Sequence, residues 1–199
     1  MFDLILPVAL FAVSMSITPG PNNVMVTASG ANFGYRRTIP HLLGIGLGYP
    51  AMVAGVGLGL GGVFIAVPAV HVVLRYVGSG TILWMAWKVA TASGTSGTEE
   101  RPGRPFTFLQ AAAFQWVNPK GWVVAVGAIS AFTTLQGDPL FEVGAITLTF
   151  ACVNYPCASV WTLFGVGIGK LLKRGNRLRI FNVAMGLLLV AAVVPLFID

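Results

Sequence analysis

Two apolar stretches of this chain are each interrupted by proline beside asparagine, and one interruption also carries a lysine. These residue types could bind a solute that has both a carboxylate and an ammonium group. Asparagine offers a carbonyl oxygen and an NH2 group, and a lysine ammonium offers three N–H donors. The eight candidate binding residues are Pro19, Gly20, Pro21, Asn22, Asn23, Asn118, Pro119 and Lys120.

The prolines matter because each one removes a main-chain N–H from a helix. Pro119 cannot donate a hydrogen bond to the carbonyl of Gln115. Pro19 and Pro21 likewise leave two carbonyls of the first stretch without helical partners. In hydrocarbon such groups cost several kcal/mol unless they are buried in protein or line a wet cavity. Two broken helices, one in each half of the chain, therefore predict a solute site near the middle of a bilayer.

Lys120 is the strongest single candidate for a functional residue, because of its position. It lies well inside the apolar run 108–134, where a lysine costs ~2.5–3.5 kcal/mol on insertion scales. We expect it to contact a substrate or an ion. The structural alternative is that its ammonium binds carbonyls freed by the breaks, and the two roles are compatible.

The asparagines have a functional and a structural interpretation of similar weight. The helix that resumes after Pro21 would direct its positive N-terminal end towards the break, where it could attract a carboxylate. The amides of Asn22, Asn23 and Asn118 could then complete a binding site for the solute. Alternatively, they only satisfy the interrupted backbone. Asn22 and Asn118 are better candidates than Asn23.

The composition places the chain in the integral membrane class. Hydrophobic residues make up 56% of it and charged residues only 9%, whereas a soluble domain has about 25% charged residues. Runs long enough for the ~20 residues of a spanning helix cover 4–30, 40–66, 70–90, 108–134, 140–168 and 180–198. The weakest boundary lies near Pro68, so five helices are the alternative to six.

The placement of charge favours six helices and sets their orientation. With six helices, ten of the twelve basic residues fall in the first, third and fifth loops. They are Arg36, Arg37, Lys88, Arg101, Arg104, Lys170, Lys173, Arg174, Arg177 and Arg179. The positive-inside rule then puts these loops in the cytoplasm and both termini outside. Five helices would divide the basic loops between both faces. The net charge of +6 thus reflects topology, and no nucleic-acid partner is expected.

The polar stretch 93–106 divides the chain into similar halves, at about 1–92 and 107–199. Its Gly, Ser, Thr and Pro content indicates a flexible cytoplasmic linker. Three helices in each half make the halves inverted in the membrane, and each half starts with a broken helix. We predict one all-α transmembrane domain over 1–199, with six helices in two inverted three-helix repeats and breaks in helices 1 and 4.

Glycines in the second apolar run predict close helix packing. Gly44 and Gly48, and again Gly55 and Gly59, are four residues apart, a spacing that lets helix backbones approach in lipid. A sliding surface for alternating access and a homodimer interface are the functional alternatives.

Several absent features limit the function. We expect no Asp or Glu inside any predicted span, which argues against metal-cation transport and weakens the case for a basic substrate. The sequence has no Walker-type loop for ATP and no nucleophile–base pair, so we expect no enzyme, cofactor or metal. Cys152 and Cys157 are expected to be buried thiols without a disulfide, because their spacing points them apart on a helix.

Several stretches resemble a known family. They are Thr-Pro-Gly-Pro-Asn-Asn at 18–23, Ala-Ser-Gly at 28–30, Phe-Gly-Tyr-Arg-Arg at 33–37, Val77–Lys88, and Asn-Pro-Lys at 118–120. In this order they resemble the first, third and fourth helices of LysE/RhtB-type amino-acid exporters. The resemblance implies a bacterial inner-membrane exporter of small amino acids or analogues that is driven by the proton-motive force. It also implies that the eight candidate residues belong to the two broken helices.

Among the substrates that the resemblance allows, the lack of acids inside the spans favours a neutral amino acid. The expected partners are this small-molecule substrate and membrane lipid. Three alternatives remain. A thiol–disulfide conduit would need reactive cysteines, and both cysteines lie in the fifth run. A non-transporting scaffold subunit would have little reason to keep Lys120 inside the bilayer. A passive channel would carry flux without a proton gradient.

Overall fold

A computed structural model describes residues 2–92, 104–134, 137–172 and 176–198, and these residues are predominantly helical. The predicted linker 93–106 falls outside the described residues except for its last three positions. The helices are α1 (Phe2–Ile17), α2 (Pro21–Phe33), α3 (Tyr35–Gly55), α4 (Gly61–Ala66), α5 (Pro68–Ala90), α6 (Phe108–Gln115), α7 (Pro119–Phe132), α8 (Pro139–Leu171) and α9 (Arg177–Ala191). A π-helical stretch, Val56–Leu60, joins α3 to α4, and a short 3-10 turn, Val194–Leu196, follows α9.

The helices within the described residues include four that are long and apolar enough to cross a membrane. These are Tyr35–Val63, Pro68–Ala90, Pro139–Leu171 and Arg177–Leu196. The bent pair formed by α1 and α2 counts as a fifth span, with a bend of 59°. The all-helical membrane class is therefore confirmed. The six-span count stays a prediction, because α7 has only 14 residues and is too short alone.

The boundary near Pro68, which had the weakest sequence signal, is present. Val67 has an extended backbone, with φ −115° and ψ 96°, and α5 starts at Pro68. A proline at the first position of a helix loses no hydrogen bond, because that N–H has no helical partner. The second and third apolar runs therefore form separate helices, as predicted.

Glycine packing in the second apolar run is confirmed for its first half. A β-carbon on Gly48 would lie 2.6 Å from the α-carbon of Ala112 in α6, and one on Gly44 would collide with the carbonyl of Phe108. The backbones of α3 and α6 therefore touch. Gly59 has a different role: its φ of 125° lies in the region that favours glycine, and nothing surrounds it within 4 Å.

A second glycine-dependent contact, between α2 and α8, was not predicted. β-carbons on Gly165 and Gly169 would collide with the carbonyls of Thr27 and Ala31 in α2. Gly30 in α2 similarly faces the backbone of α8. This contact fixes α2, and with it the first break, against the C-terminal part of α8.

Two buried clusters lie on either side of the breaks. One contains Tyr49, Trp122 and Phe150, and joins α1, α3, α7 and the first half of α8. The other contains Met25 and Phe114, and joins α2, α5, α6 and α9. The breaks in the first and fourth apolar runs occur where the chain passes from one cluster to the other. Apolar packing above and below therefore holds the broken backbone in place.

Candidate functional site

The first break consists of the three residues between α1 and α2. Gly20 is extended, with φ −169° and ψ 176°, and α2 starts with Pro21. A β-carbon on Gly20 would lie 3.0 Å from both Cδ and Nζ of Lys120. Glycine is therefore needed here because the lysine side chain crosses the break, and not because of the backbone conformation.

The second break, between α6 and α7, also has an extended residue followed by a helix that starts with proline. α6 ends at Gln115, Asn118 has φ −82° and ψ 107°, and α7 starts with Pro119. Both resumed helices thus begin with proline and present their N-terminal ends at the breaks. The main-chain N–H groups and the positive end of the dipole at such termini favour anions. Two such ends at one place can attract a carboxylate.

Lys120 joins the two breaks. Its Nζ donates hydrogen bonds to the carbonyl oxygens of Thr18, at 2.8 Å, and of Pro19, at 3.3 Å. The structural role proposed from the sequence is therefore present, and the ammonium also offsets the negative dipole end of α1. An ammonium has three N–H groups. Two point at the first break, and the third is available to the cavity that Lys120 lines.

Asn23 and Asn22 make different contacts. The Asn23 Nδ2 donates to the carbonyls of Ser16 and Thr18, both at 2.9 Å, so this buried amide satisfies the interrupted helix. Asn22 instead forms a reciprocal amide pair with Gln115, with N···O distances of 2.8 and 3.2 Å. The Asn22–Gln115 pair connects the start of α2 to the end of α6. Asn23 is thus structural, whereas Asn22 links the two breaks.

A cavity of about 60 Å³ lies between the breaks, and we call it the break cavity. Its lining includes six of the eight predicted residues, together with Ser16, Tyr49 and Asn154; the six are Gly20, Pro21, Asn22, Asn23, Asn118 and Lys120. Pro19 and Pro119 do not line it. The exposed Pro19 contributes a carbonyl to Lys120, and Pro119 begins α7 with its ring against Gly78.

Two amide atoms on the break cavity have no hydrogen-bond partner. They are Oδ1 of Asn118, a residue that is 3% exposed, and Nδ2 of Asn154, a residue that is 8% exposed. The Asn154 Oδ1 accepts a hydrogen bond from the Ser16 hydroxyl at 2.8 Å. Leaving a buried polar atom unpaired costs about 1–3 kcal/mol. The residues that line the cavity therefore hold one unpaired acceptor and one unpaired donor, both buried, beside the ammonium of Lys120.

Asn154 and Gln115 were missed by the sequence interpretation. Both are amides inside apolar runs, and that alone could have marked them. Asn154 comes two residues before Pro156, and α8 continues through this proline. Gln115 was considered only for its carbonyl, and its side chain is the part that pairs with Asn22.

Two further predictions need correction. Cys157 is buried, but Cys152 is exposed on α8, so the prediction of two buried thiols is wrong for Cys152. Glu142 lies in the first turn of α8, inside a candidate span, and is buried. Its carboxylate accepts hydrogen bonds from the N–H and hydroxyl of Thr134, both at 2.8 Å. This acid is far along α8 from Asn154 and does not line the break cavity.

The described residues contain no group of three or more His, Cys, Asp or Glu side chains that could hold a metal ion. His41 is fully buried in α3, and both of its ring nitrogens lack a hydrogen-bond partner. His71 is exposed in α5. The polar groups of the break cavity are amides, hydroxyls, carbonyls and an ammonium, which suit an organic solute.

Long apolar helices define a multi-pass helical membrane protein, and the polar cavity at the two helix breaks is its candidate solute site. The chain matches the family model described as LysE type translocator over residues 13–199. It therefore belongs to the LysE-type translocator family, which consists of amino-acid efflux transporters and not of enzymes. The resemblance seen in the sequence is confirmed.

Curated relatives give the same assignment. The chain is 30% identical over 190 residues to the cysteine/O-acetylserine efflux protein of Escherichia coli (strain K12), with 94% of each chain covered. It is 31% identical over 192 residues to the protein of the same name from Salmonella choleraesuis (strain SC-B67), again with 94% of each covered. No solved structure was found to match the chain.

Proposed function

We propose that this protein exports small neutral amino acids, or close analogues, from the cytoplasm by alternating access driven by the proton-motive force. The observation that carries this proposal is the break cavity. Its unpaired acceptor on Asn118, unpaired donor on Asn154 and ammonium on Lys120 complement the two ends of a zwitterion. Its small volume, about 60 Å³, favours a small side chain.

In the proposed complex, the substrate carboxylate binds the third N–H of Lys120 and Nδ2 of Asn154. The N-terminal ends of α2 and α7 add a favourable field for this negative charge. The substrate ammonium binds Oδ1 of Asn118. A bound carboxylate would also weaken the hold of Lys120 on the carbonyls of the first break, which couples occupancy to movement of one break against the other.

The proposal that the substrates are neutral amino acids is based on the residues that line the break cavity. None of the described residues that line the break cavity is Asp or Glu, so nothing there would balance a cationic side chain. Cysteine and O-acetylserine, the solutes in the names of the relatives, both have uncharged side chains. The proposed substrate class of this chain includes both.

The proposed topology counts α6 and α7 as one broken span, which makes six spans in a bacterial inner membrane. Basic residues then gather at one end of the protein, at the ends of α5 and α8 and the starts of α3 and α9. Asn182 supports this arrangement, because it binds both Asn32 near the end of α2 and the carbonyl of Ala92 after α5. The positive-inside rule places this end in the cytoplasm and both termini outside.

Two observations support the proposed inverted repeats, about 1–92 and 107–199. α1 of the first half packs on α8 of the second half, and the corresponding pair, α6 of the second half and α3 of the first, also packs together. Tyr49-Pro50 in α3 corresponds to Tyr155-Pro156 in α8. Rocking of such halves about a shared cavity would expose it alternately to each side. A homodimer stays a prediction.

The alternatives are less well supported. A thiol–disulfide conduit would have to use Cys152 and Cys157, which lie on one helix, the first exposed and the second buried. A scaffold subunit does not account for the unpaired atoms of the break cavity.

The test is amino-acid efflux from cells loaded with dipeptides. We expect export of small neutral amino acids over lysine and arginine, and loss of export when an uncoupler collapses the proton gradient. Lys120→Ala should reduce export at least about tenfold, because hydrogen bonds to charged groups are worth about 1.5–3 kcal/mol. Lys170→Ala, at an exposed lysine at the end of α8, is the control and should export normally. Absence of export by the unmodified protein would contradict the proposal.

A further inference from the structure

A second cavity lies near the basic end of the protein, and we call it the basic-end cavity. Its volume is about 180 Å³, about three times the 60 Å³ of the break cavity. The lining includes Lys88, Arg104, Ser29, Asn32, Thr91 and Phe106. It combines two cations, three neutral polar side chains and apolar surface, so it fits an amphipathic anion or a zwitterion.

The ammonium of Lys88 is held at this cavity by aromatic rings. Its Nζ lies 4.6 Å from the ring centroid of Trp84 and 4.9 Å from that of Phe106. Cation–π contacts of this kind hold a positive charge without neutralising it. The acidic side chains that the structure describes, Asp138 and Glu142, lie at the start of α8, at the opposite end from the basic residues. Among the described residues, therefore, no acidic side chain pairs with Lys88 or Arg104, and both can act on an anionic group.

The two cavities lie in series along α2. Asn22 lines the break cavity, and Met25, one helical turn further on, lines the basic-end cavity. Ser29 and Asn32 continue the same face of the helix at spacings of four and three residues. The Asn22–Gln115 pair stands at the boundary, because Asn22 faces the break cavity and Phe114, next to Gln115, packs with Met25.

We propose that the basic-end cavity is a cytoplasmic-side substrate site, in which Lys88 and Arg104 bind the carboxylate of the amino acid before it reaches the break cavity. This inference rests on the proposed function. The site would raise the local concentration of substrate next to the Asn22–Gln115 pair. It would therefore lower the substrate concentration at which export is half-maximal. The maximal rate of export would still be determined by the break cavity.

The test is uptake into inverted membrane vesicles, where the cytoplasmic face is outside and substrate concentration can be varied. The double variant Lys88→Gln/Arg104→Gln should raise KM about tenfold, the loss expected for one charge-assisted hydrogen bond, with little change in maximal rate. Lys170→Gln/Arg177→Gln removes the same charge from the same end but outside the cavity. This control should keep the normal KM.

Two results would overturn the inference. One is an unchanged KM in the Lys88→Gln/Arg104→Gln variant with transport intact, which would leave the proposed function standing. The other comes from proteoliposomes: an effect seen with phosphatidylglycerol present, but absent in phosphatidylcholine alone, would identify a lipid-headgroup site instead. Arg104→Gln alone guards against misfolding, because Arg104 is exposed and lies outside the helices. It should raise KM in the same direction, and failure to do so would also count against the site.

Discussion

Individual residues of the break cavity divide into those that hold the broken backbone and those with bonding capacity left over. Asn23 uses its amide on two carbonyls of the first break. Lys120 uses two of its three N–H groups, whereas Asn118 and Asn154 each keep one amide atom without a partner. The groups without hydrogen-bond partners lie on the second break and on α8. In the proposed site, these two elements would therefore bind the substrate, and the first break would mainly form the wall of the cavity.

Asn154 gives the sharpest prediction at the scale of residues. Asn154→Ala removes the free Nδ2 donor, and we expect KM for the exported amino acid to rise about 10- to 100-fold, since a hydrogen bond to a carboxylate is worth about 1.5–3 kcal/mol. Ser16→Ala removes the hydroxyl that binds Asn154 Oδ1 but leaves the donor in place. Measuring KM for both variants distinguishes a substrate-binding role of Asn154 from a structural one. An equal effect of the two would show that Asn154 only holds α1 against α8.

Among the elements, the contact between α2 and α8 determines whether the first break is held in place. It has a glycine on both sides, and the two backbones meet without intervening side chains. In lipid, where no hydrophobic effect drives helices together, such close packing is a principal source of association. The helix that carries Asn22 and Asn23 is therefore positioned by glycines a few turns away from the cavity.

This contact can be tested with two glycines of the same helix. A leucine at Gly165 would collide with the backbone of Thr27, whereas Gly167 has nothing within 4 Å. Gly165→Leu should separate α2 from α8 and lower the yield of monodisperse protein in detergent, together with its melting temperature. Gly167→Leu should behave like the unmodified protein in size-exclusion and thermal-unfolding measurements. Equal stability of the two variants would contradict the proposed importance of the contact.

The sequence predicts elements that depend on local chemistry and misses pairings between distant elements. The breaks at Pro21 and Pro119 and the boundary at Pro68 follow from the missing proline N–H. The bond between Ser16 and Asn154 joins residues 138 positions apart, and no local pattern indicates it. Glycine spacing predicted close packing by the second apolar run but did not identify α6 as its partner. Gly165 and Gly169 have the same four-residue spacing, and their contact with α2 was not predicted.

At the scale of the whole molecule, the basic residues and the two cavities are arranged in order from one end of the protein to its interior. The basic residues at the helix ends, the basic-end cavity, the Asn22–Gln115 pair and the break cavity follow one another from one end to the interior. Asp138 and Glu142 stabilise the start of α8 at the other end, where Asp138 caps the helix. An exporter oriented by the positive-inside rule would take up its substrate at the basic end and release it at the acidic end.

This orientation can be measured on α8, which reaches from one end of the protein to the other. Leu140 in its first turn is 70% exposed, and Leu171 at its last residue is 77% exposed. In a background with Cys152→Ala and Cys157→Ala, Leu140→Cys should react with a membrane-impermeant maleimide on intact cells. Leu171→Cys should react only after permeabilisation, because it lies beside the basic loops. Normal export by the cysteine-free background would also exclude the thiol–disulfide conduit. The reverse labelling pattern would place the basic end outside, and the direction of transport through the two cavities would then have to be reversed.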